Sequence, residues 1–382
     1  MKRLLTLAVM FLCCIATTLA QFSGSGSGTE NDPYLILNPI QLNQLRNFLD
    51  KNGVYFKLMS DIDLTDFIED EYGQKGWLPI GTSSSKFCGT LDGNGKTISG
   101  LRINRSGSDD IGLFGCTSGA VVKNLTMYVN INGNNNVGGI TGGQSINISN
   151  CTLYGTVSGS SYVGGFCGNG SVFTVLTDNV SYVTVKGIGD CIGGFVGAYP
   201  KSIHNCSAIN ILISGNNRVG GIVGYFGNWS SHKDEKDIFN CSFTGSVNGA
   251  TNVGGILGEG DRVNISNSYA IGNVSGTNYI GGIAGAMRDS FDHDYRDLSY
   301  SVCSNSYFSG IVSGGINVGG ITGILYRMKM ISCCSYATIS GNENIGGLCG
   351  FLEGRQWNDL SSIRNCFAIN VRVSAIDDNC GS

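Results

Sequence analysis

The chain has 382 residues, of which 41% are apolar, 14% are charged and 59 are glycine, with a formal net charge of -4. So few and so balanced charges exclude the basic field that would hold nucleic acid or an anionic membrane surface. Glycine is at about twice its usual share of roughly 7%, yet apolar residues recur periodically along the chain, so a buried core rather than disorder is expected.

Residues 1–20 begin with Met1-Lys2-Arg3, continue with an apolar run over 4–15 and end in Thr18-Leu19-Ala20 before Gln21. This is the pattern of a secretory leader cleaved after Ala20, and a run of about 12 apolar residues is too short to span a bilayer. No second run is long enough to do so, which places the mature chain outside the cell or at its surface, without membrane insertion. Of the 15 cysteines, Cys13 and Cys14 fall in the leader, so an odd number enters an oxidising destination and at least one has no partner within the chain. No C-x-x-C occurs and only three histidines are present, which argues against a zinc cluster.

Residues 21–28, rich in Gly and Ser, read as a flexible linker. Tyr34-Leu35-Ile36 reads as a strand. Over 39–49, Leu42, Leu45 and Leu49 recur at helical spacing behind Asn38 as N-cap and Pro39 at the first helical position, predicting one short helix. Strands follow at 55–58 and 62–64, and Asp92-Gly93-Asn94-Gly95 between two apolar runs predicts a turn. Residues 29–110 thus form an N-terminal cap with the first coils.

From residue 111 onward one phrase returns: β-branched residue, Gly, Gly, apolar, any residue, Gly. Its full copies start at Val137, Val163, Ile192, Val219, Val253, Ile280, Val318 and Ile345, after a partial copy at Ile111-Gly112-Leu113-Phe114-Gly115. The intervals are 26, 29, 27, 34, 27, 38 and 27 residues, a short period that is sometimes lengthened. A fixed period of this kind means one elongated solenoid rather than several globular domains. The repeat fills 111–382, and the ninth full box due after Cys366 is absent, leaving the last coil incomplete.

The N-terminal block followed by the repeated glycine box resembles the GLUG-motif repeat proteins, found mainly among secreted and surface-attached bacterial proteins. The resemblance covers nearly all of the mature chain. It implies an all-β fold, a right-handed parallel β-helix of about nine to eleven coils whose N-terminal helix and strands cap the open end. It implies no common catalytic residues.

Each repeat also carries an I-x-N-C phrase before the box, as in Ile203-His204-Asn205-Cys206 and Ile238-Phe239-Asn240-Cys241. Short alternating strands stacked at about 4.8 Å suit such a coil. Glycine suits its sharp bends and close backbone approaches. Asparagine suits corners in the left-handed conformation, with Asn150, Asn205 and Asn240 expected to bond one another's backbones along the axis. The helix over 39–49 is expected to cover an exposed sheet edge. Cys151, Cys206, Cys241, Cys334 and Cys366 share one repeat position, with Ser268 and Ser306 as substitutes. That pattern favours a stack of small buried residues. A disulfide between Cys206 and Cys241 is the sharper alternative, because a spacing of about 4.8 Å lies within disulfide reach.

The longer repeats carry the functional signal. Between a box and the next I-x-N-C lie five residues in the shortest cases, such as 198–202, but 13, 17 and 12 at 225–237, 286–302 and 351–362. All three enter at the same point of the coil, on every second coil, and so should emerge on one side about 10 Å apart. Two of three histidines, His232 and His293, and two of three tryptophans, Trp229 and Trp357, lie there with Phe291, Tyr295, Arg355 and many charges. Loops on a rigid scaffold are where recognition usually resides, so these seven residues are the candidate ligand-binding set, for a glycan or an extracellular protein. The plainer alternative is a set of solvated loops whose aromatics pack back on the scaffold.

The group Asp292-His293-Asp294 with Asp297 has the composition for general acid/base work or for calcium, yet no loop spacing demands either, and no H-E-x-x-H, G-x-S-x-G or P-loop occurs. No catalytic residue, metal or cofactor is therefore assigned. Sequons such as Asn205-Cys206-Ser207 arise automatically from the N-C corner and say little about glycosylation. The reading is a non-catalytic surface adhesin. A polysaccharide-active β-helix enzyme and a passive stalk are its rivals.

Overall fold

A computed structural model describes residues 22–227, 236–288, 301–353 and 361–375. Their strands form two sheets, of 29 and 8 strands, and every strand-to-strand pairing is parallel. The protein is a parallel β-helix, the solenoid that the resemblance implies. The eight-stranded sheet consists of the full glycine boxes, from Val137–Gly138 to Glu343–Gly346 in consecutive order, with Val219 opposite Val253 and Ile280 opposite Val318. Ile111 of the partial box bridges to Val137 and starts the same column. After the box Val219-Gly220-Gly221-Ile222-Val223-Gly224, a second strand runs over Val223–Phe226 and a third over Asp237–Phe239. A corner at Asn240 and Cys241 and a fourth strand, Ser242–Asn248, then lead to the next box.

One continuous apolar core fills the tube from Phe22 to Ile339. The residue after each glycine pair points into it, and Ile140, Phe166, Phe195, Ile222, Ile256, Ile283 and Ile321 are fully buried. The glycines are needed because neighbouring backbone occupies the space of a side chain. A Cβ on Gly220 would fall on the carbonyl oxygen of Val223 in its own coil, one on Gly221 on the carbonyl oxygen of Gly255 in the next, and one on Gly224 against the amide nitrogen of Ile192 in the preceding coil. The box is thus fixed from three directions at once.

At the corner, Asn150, Asp178, Asn205, Asn240, Asn267, Asn305, Ser332 and Asn365 all hold φ between 48° and 57°. Asn150, Asn205 and Asn240 bond through their side chains rather than through one another's backbones. Asn240 Nδ2 donates to Asn205 Oδ1 at 2.8 Å, Asn205 Nδ2 to Asp178 Oδ1 at 2.9 Å, and Asn150 Nδ2 to Asn124 Oδ1 at 2.9 Å. The physical reason is that the corner amides are already spent in the ladder, as Asn240 N donates to Ser266 O at 3.0 Å. Asp178 also stands between Asn150 and Asn205, so those two are not neighbours.

The small-residue column differs from the sequence reading at one place. Tyr307 pairs with Cys334 and Tyr269 with Tyr307, so the residue level with Ser268 and Ser306 is Cys333, not Cys334. Ser332 takes the left-handed corner that asparagine holds elsewhere, and Cys333 lies 12 residues before its box, as Ser306 does. The missing asparagine disguised the register.

At the N-terminal end, the helix is α-helical over Pro39–Asn43 and tightens to a 3-10 turn over Gln44–Phe48, with Asn38 Oδ1 accepting from Gln41 N at 3.0 Å. A second helix, Thr65–Tyr72, was not expected. Leu42 and Leu45 of the first helix enter the core. The outer edge of the first strand, Tyr34–Ile36, is met by the Gly/Ser run: Leu35 N donates to Ser25 O at 2.9 Å, and Phe22 packs on Tyr34 with ring centroids 4.8 Å apart. Although composition marks this run as a linker, residues 22–28 pack as part of the cap, because Gly24 and Gly26 admit the carbonyls of Leu35 and Pro33. The turn at 92–95 is a corner within the long strand Thr90–Asn104, where Asn94 has φ 52°.

Candidate functional site

The three insertions leave the scaffold at one corner. Their first residues stand in a single register: Tyr225 pairs with Glu259, Glu259 with Ala286, Ala286 with Ile324 and Ile324 with Phe351. Their last residues do the same, as Asp237 pairs with Asn264, and Val302 through Lys329 with Ser362. The intervening coils cross the same corner with short connections, at 259–264 and 324–329. The candidate residues Trp229, His232, Phe291, His293, Tyr295, Arg355 and Trp357 all lie outside the described residues, so only the base on which they stand is described.

That base is built from charge and aromatic rings. Arg218 Nε donates to Glu259 Oε2 at 2.9 Å, and Asn252 Nδ2 donates to the same oxygen at 2.7 Å. The Arg218 guanidinium lies 4.6 Å from the centroid of Tyr225, whose ring meets Tyr199 edge-on at 5.2 Å. Glu259 is only 13% exposed, so desolvation offsets much of the pair's attraction, while leaving either partner alone would be costly. Burial would lower the Arg218 pKa, but the bond and charge of Glu259 more than offset it and hold the guanidinium charged. Burial pushes the Tyr199 phenol up to about 12 and raises that of Tyr225, so both present neutral hydroxyls. Lys236 is buried and its Nζ donates to Gly227 O at 3.0 Å, tying together the two ends of the first insertion. His204 Nε2 lies 2.9 Å from Asp237 Oδ2 at the exit of that insertion, a pairing the sequence reading did not include.

Cys206 and Cys241 are free thiols on adjacent coils. Each bonds a backbone carbonyl: Cys206 Sγ donates to His204 O at 3.2 Å and Cys241 Sγ to Phe239 O at 3.3 Å. In the same column Asn179 is fully buried, accepting from Cys151 N and donating to Ile148 O, both at 2.9 Å. The Sγ atoms of Cys303 and Cys333 lie 3.7 Å apart. Burial pushes Cys151, Cys167 and Cys191 up to about 12, so these thiols stay protonated and poorly nucleophilic. Among the described residues no group of three His, Cys, Asp or Glu is placed to hold a metal ion, and no helix is long and apolar enough to cross a membrane.

A second feature was not anticipated. On the outer face of the fourth strand, Tyr128, Tyr154 and Tyr182 of successive coils stack, with centroids 4.9 and 4.8 Å apart and planes within 13° and 1° of parallel. Beside Tyr128 the solenoid and the helix Thr65–Tyr72 enclose a groove of about 560 Å³. The signal in the sequence was faint: tyrosine recurs in phase with the boxes, but at a solvent-facing position the core does not constrain.

No family model matches the chain. Over 140 residues, 33% of this chain, it is 36% identical to a protein of Evansella cellulosilytica named as a Gly-rich membrane protein. Over 105 residues, 27% of the chain, it is 42% identical to a protein of Haloquadratum walsbyi named halomucin. The matched segments make up 16% and 1% of those proteins, so this chain spans a small part of either. A solved structure from Bacteroides ovatus, named as an immunoglobulin A1 protease, aligns over 94% of this chain and 83% of its own with 19% identity and a TM-score of 0.38.

Proposed function

We propose that this is a secreted, GLUG-type surface protein that binds glycans or extracellular proteins without catalysis, through three loops carried on one side of a β-helix. The observation that carries the reading is the shared register of the loop anchors, which start at Tyr225, Ala286 and Phe351 and end at Asp237, Val302 and Ser362. A scaffold this regular has no structural need of insertions at one corner of every second coil, and rigid support lowers the ordering cost of binding. The names of the two relatives, a Gly-rich membrane protein and a halomucin, are compatible with a repeat-rich surface protein. The leader pattern of residues 1–20 provides the export route.

The test is an array of glycans and matrix proteins probed with the exported chain. Binding is expected, and replacing Trp229 and Trp357 by Ala should weaken it at least tenfold, in keeping with the loss of two aromatic anchors. Undiminished binding would remove the loops from the function. Silence on every array would leave a stalk, and shortening of a polysaccharide probe would make the protein an enzyme.

A further inference from the structure

The tyrosine stack ends beside a groove in which some polar groups are unspent. Tyr154 has a ring on both sides, whereas Tyr128 has one ring neighbour, Tyr154, and is 48% exposed. Above Tyr128 the ladder bulges. Ile98 pairs with Met127 and Leu101 with Val129, so Ser99 and Gly100 together face the single residue Tyr128. Gly100 takes φ +71° and a Cβ there would collide with Thr65 Oγ1, so no side chain from that position covers the ring. Bulges of this kind re-aim a strand next to a site. Here one leaves the outer face of Tyr128 open toward the groove, whose far wall is the helix Thr65–Tyr72.

Charge and hydrogen bonding narrow the occupant. Arg102 is committed: Nη2 donates to Glu69 Oε2 at 2.9 Å and to Gly73 O at 3.0 Å, and Nη1 to Gln74 O at 2.9 Å. Asp66 lines the groove with no hydrogen bond or ion pair among the described residues. Asn130 accepts from Thr156 Oγ1 at 3.1 Å and leaves its amide N–H groups undirected. The groove therefore offers one flat aromatic face, carboxylate acceptors and an amide donor, with a residual negative charge. A pyranose ring has an apolar C–H face for stacking and a rim of hydroxyls that both donate and accept, so it fits each element. A uronic acid would meet Asp66 and Glu69 as like charges.

We propose that this groove binds a neutral pyranose unit of an oligosaccharide, its ring stacked on Tyr128 and its hydroxyls bonded to Asp66 and Asn130. The volume of about 560 Å³ lies within the ~300–1,000 Å³ usual for small-ligand sites. The proposal shares only a ligand class with the loop reading. The groove lies on coils without a long insertion, so either can fail alone.

The test titrates the exported chain with cellohexaose, maltohexaose and chitohexaose by calorimetry, with hexagalacturonate as the acidic control. At least one neutral probe is expected to bind, and hexagalacturonate to bind at least tenfold more weakly. Tyr128→Ala should weaken the neutral probe at least tenfold, Tyr128→Phe should restore it, and Asn130→Ala should weaken it severalfold on a separate residue. Tyr182→Ala, at the far end of the stack, should stay within twofold, and the loss caused by Tyr128→Ala should persist in a chain that also carries Trp229→Ala and Trp357→Ala, which separates the groove from the loops. The proposal is overturned if no neutral probe binds, if hexagalacturonate binds equally well, or if folded Tyr128→Ala and Asn130→Ala both bind as the parent does.

Discussion

Two bends of the same coil obey opposite rules. At the glycine box the chain is closed in by backbone on three sides, and the phrase is held with little change from Val137 to Ile345. At the bend between the second and third strands nothing above or below dictates length, and the connection ranges from five residues at 198–202 to 17 at 286–302. A solenoid constrains sequence where coils touch backbone to backbone and releases it where the chain bends outward. Variation is thus confined to one side by packing, and function can be added there without disturbing the stack.

The sharpest way to break this contrast is to put a methyl group into the box. Gly221→Ala would place its Cβ on the carbonyl oxygen of Gly255, with the ring of Phe243 also in contact, and neither coil can move without shifting its neighbours. We expect a loss of more than about 3 kcal/mol, measured by denaturant unfolding, since overpacking and backbone displacement add. A variant within about 0.5 kcal/mol of the parent would mean that the box is not set by contact between coils.

A smaller effect is expected at the asparagine corner. Asn240→Ala removes the bond to Asn205 Oδ1 and puts alanine at φ 52°. The two losses together predict about 1–2 kcal/mol, while Asn240→Gly, which keeps the left-handed backbone, should recover part of it. Equal losses in both variants would assign the whole effect to the side-chain ladder.

These contrasts also explain what could be seen in advance. The boxes and the bounds of the insertions were legible because steric exclusion writes itself into residue type and interval. The asparagine corners were legible as conformation but not as bonding, since the sequence does not say that the backbone amides are already taken. Cys334 was misassigned because Ser332 replaces the asparagine that marks the corner, although the 12-residue step found in most copies, counted back from Ile345, selects Cys333. The helix Thr65–Tyr72 escaped notice because Ile68 is its one buried residue and its N-cap, Leu64, has no capping side chain, the first amide being met instead by Asp63 from one residue further back, so it depends on docking rather than on pattern. The Tyr128 groove was hidden for a related reason. It is assembled from a bulge, a cap helix and outward side chains that no periodic rule links, and the seven loop residues offered by composition stand outside the described fold.

The smallest effect belongs to the free bend. Replacing residues 228–235 with a connection as short as those of the neighbouring coils should change stability by less than about 1 kcal/mol, because loop-closure entropy varies only slowly with length. The replacement must keep Gly227 and Lys236, whose bond ties the two ends of the insertion, and Tyr225, on which Arg218 stacks. If the three insertions act as independent binding elements, excising one lowers affinity on the array while the thermal midpoint barely moves. A large fall in the midpoint would mean that the loop packs into the scaffold, and the bend would then belong with the glycine box as a constrained corner.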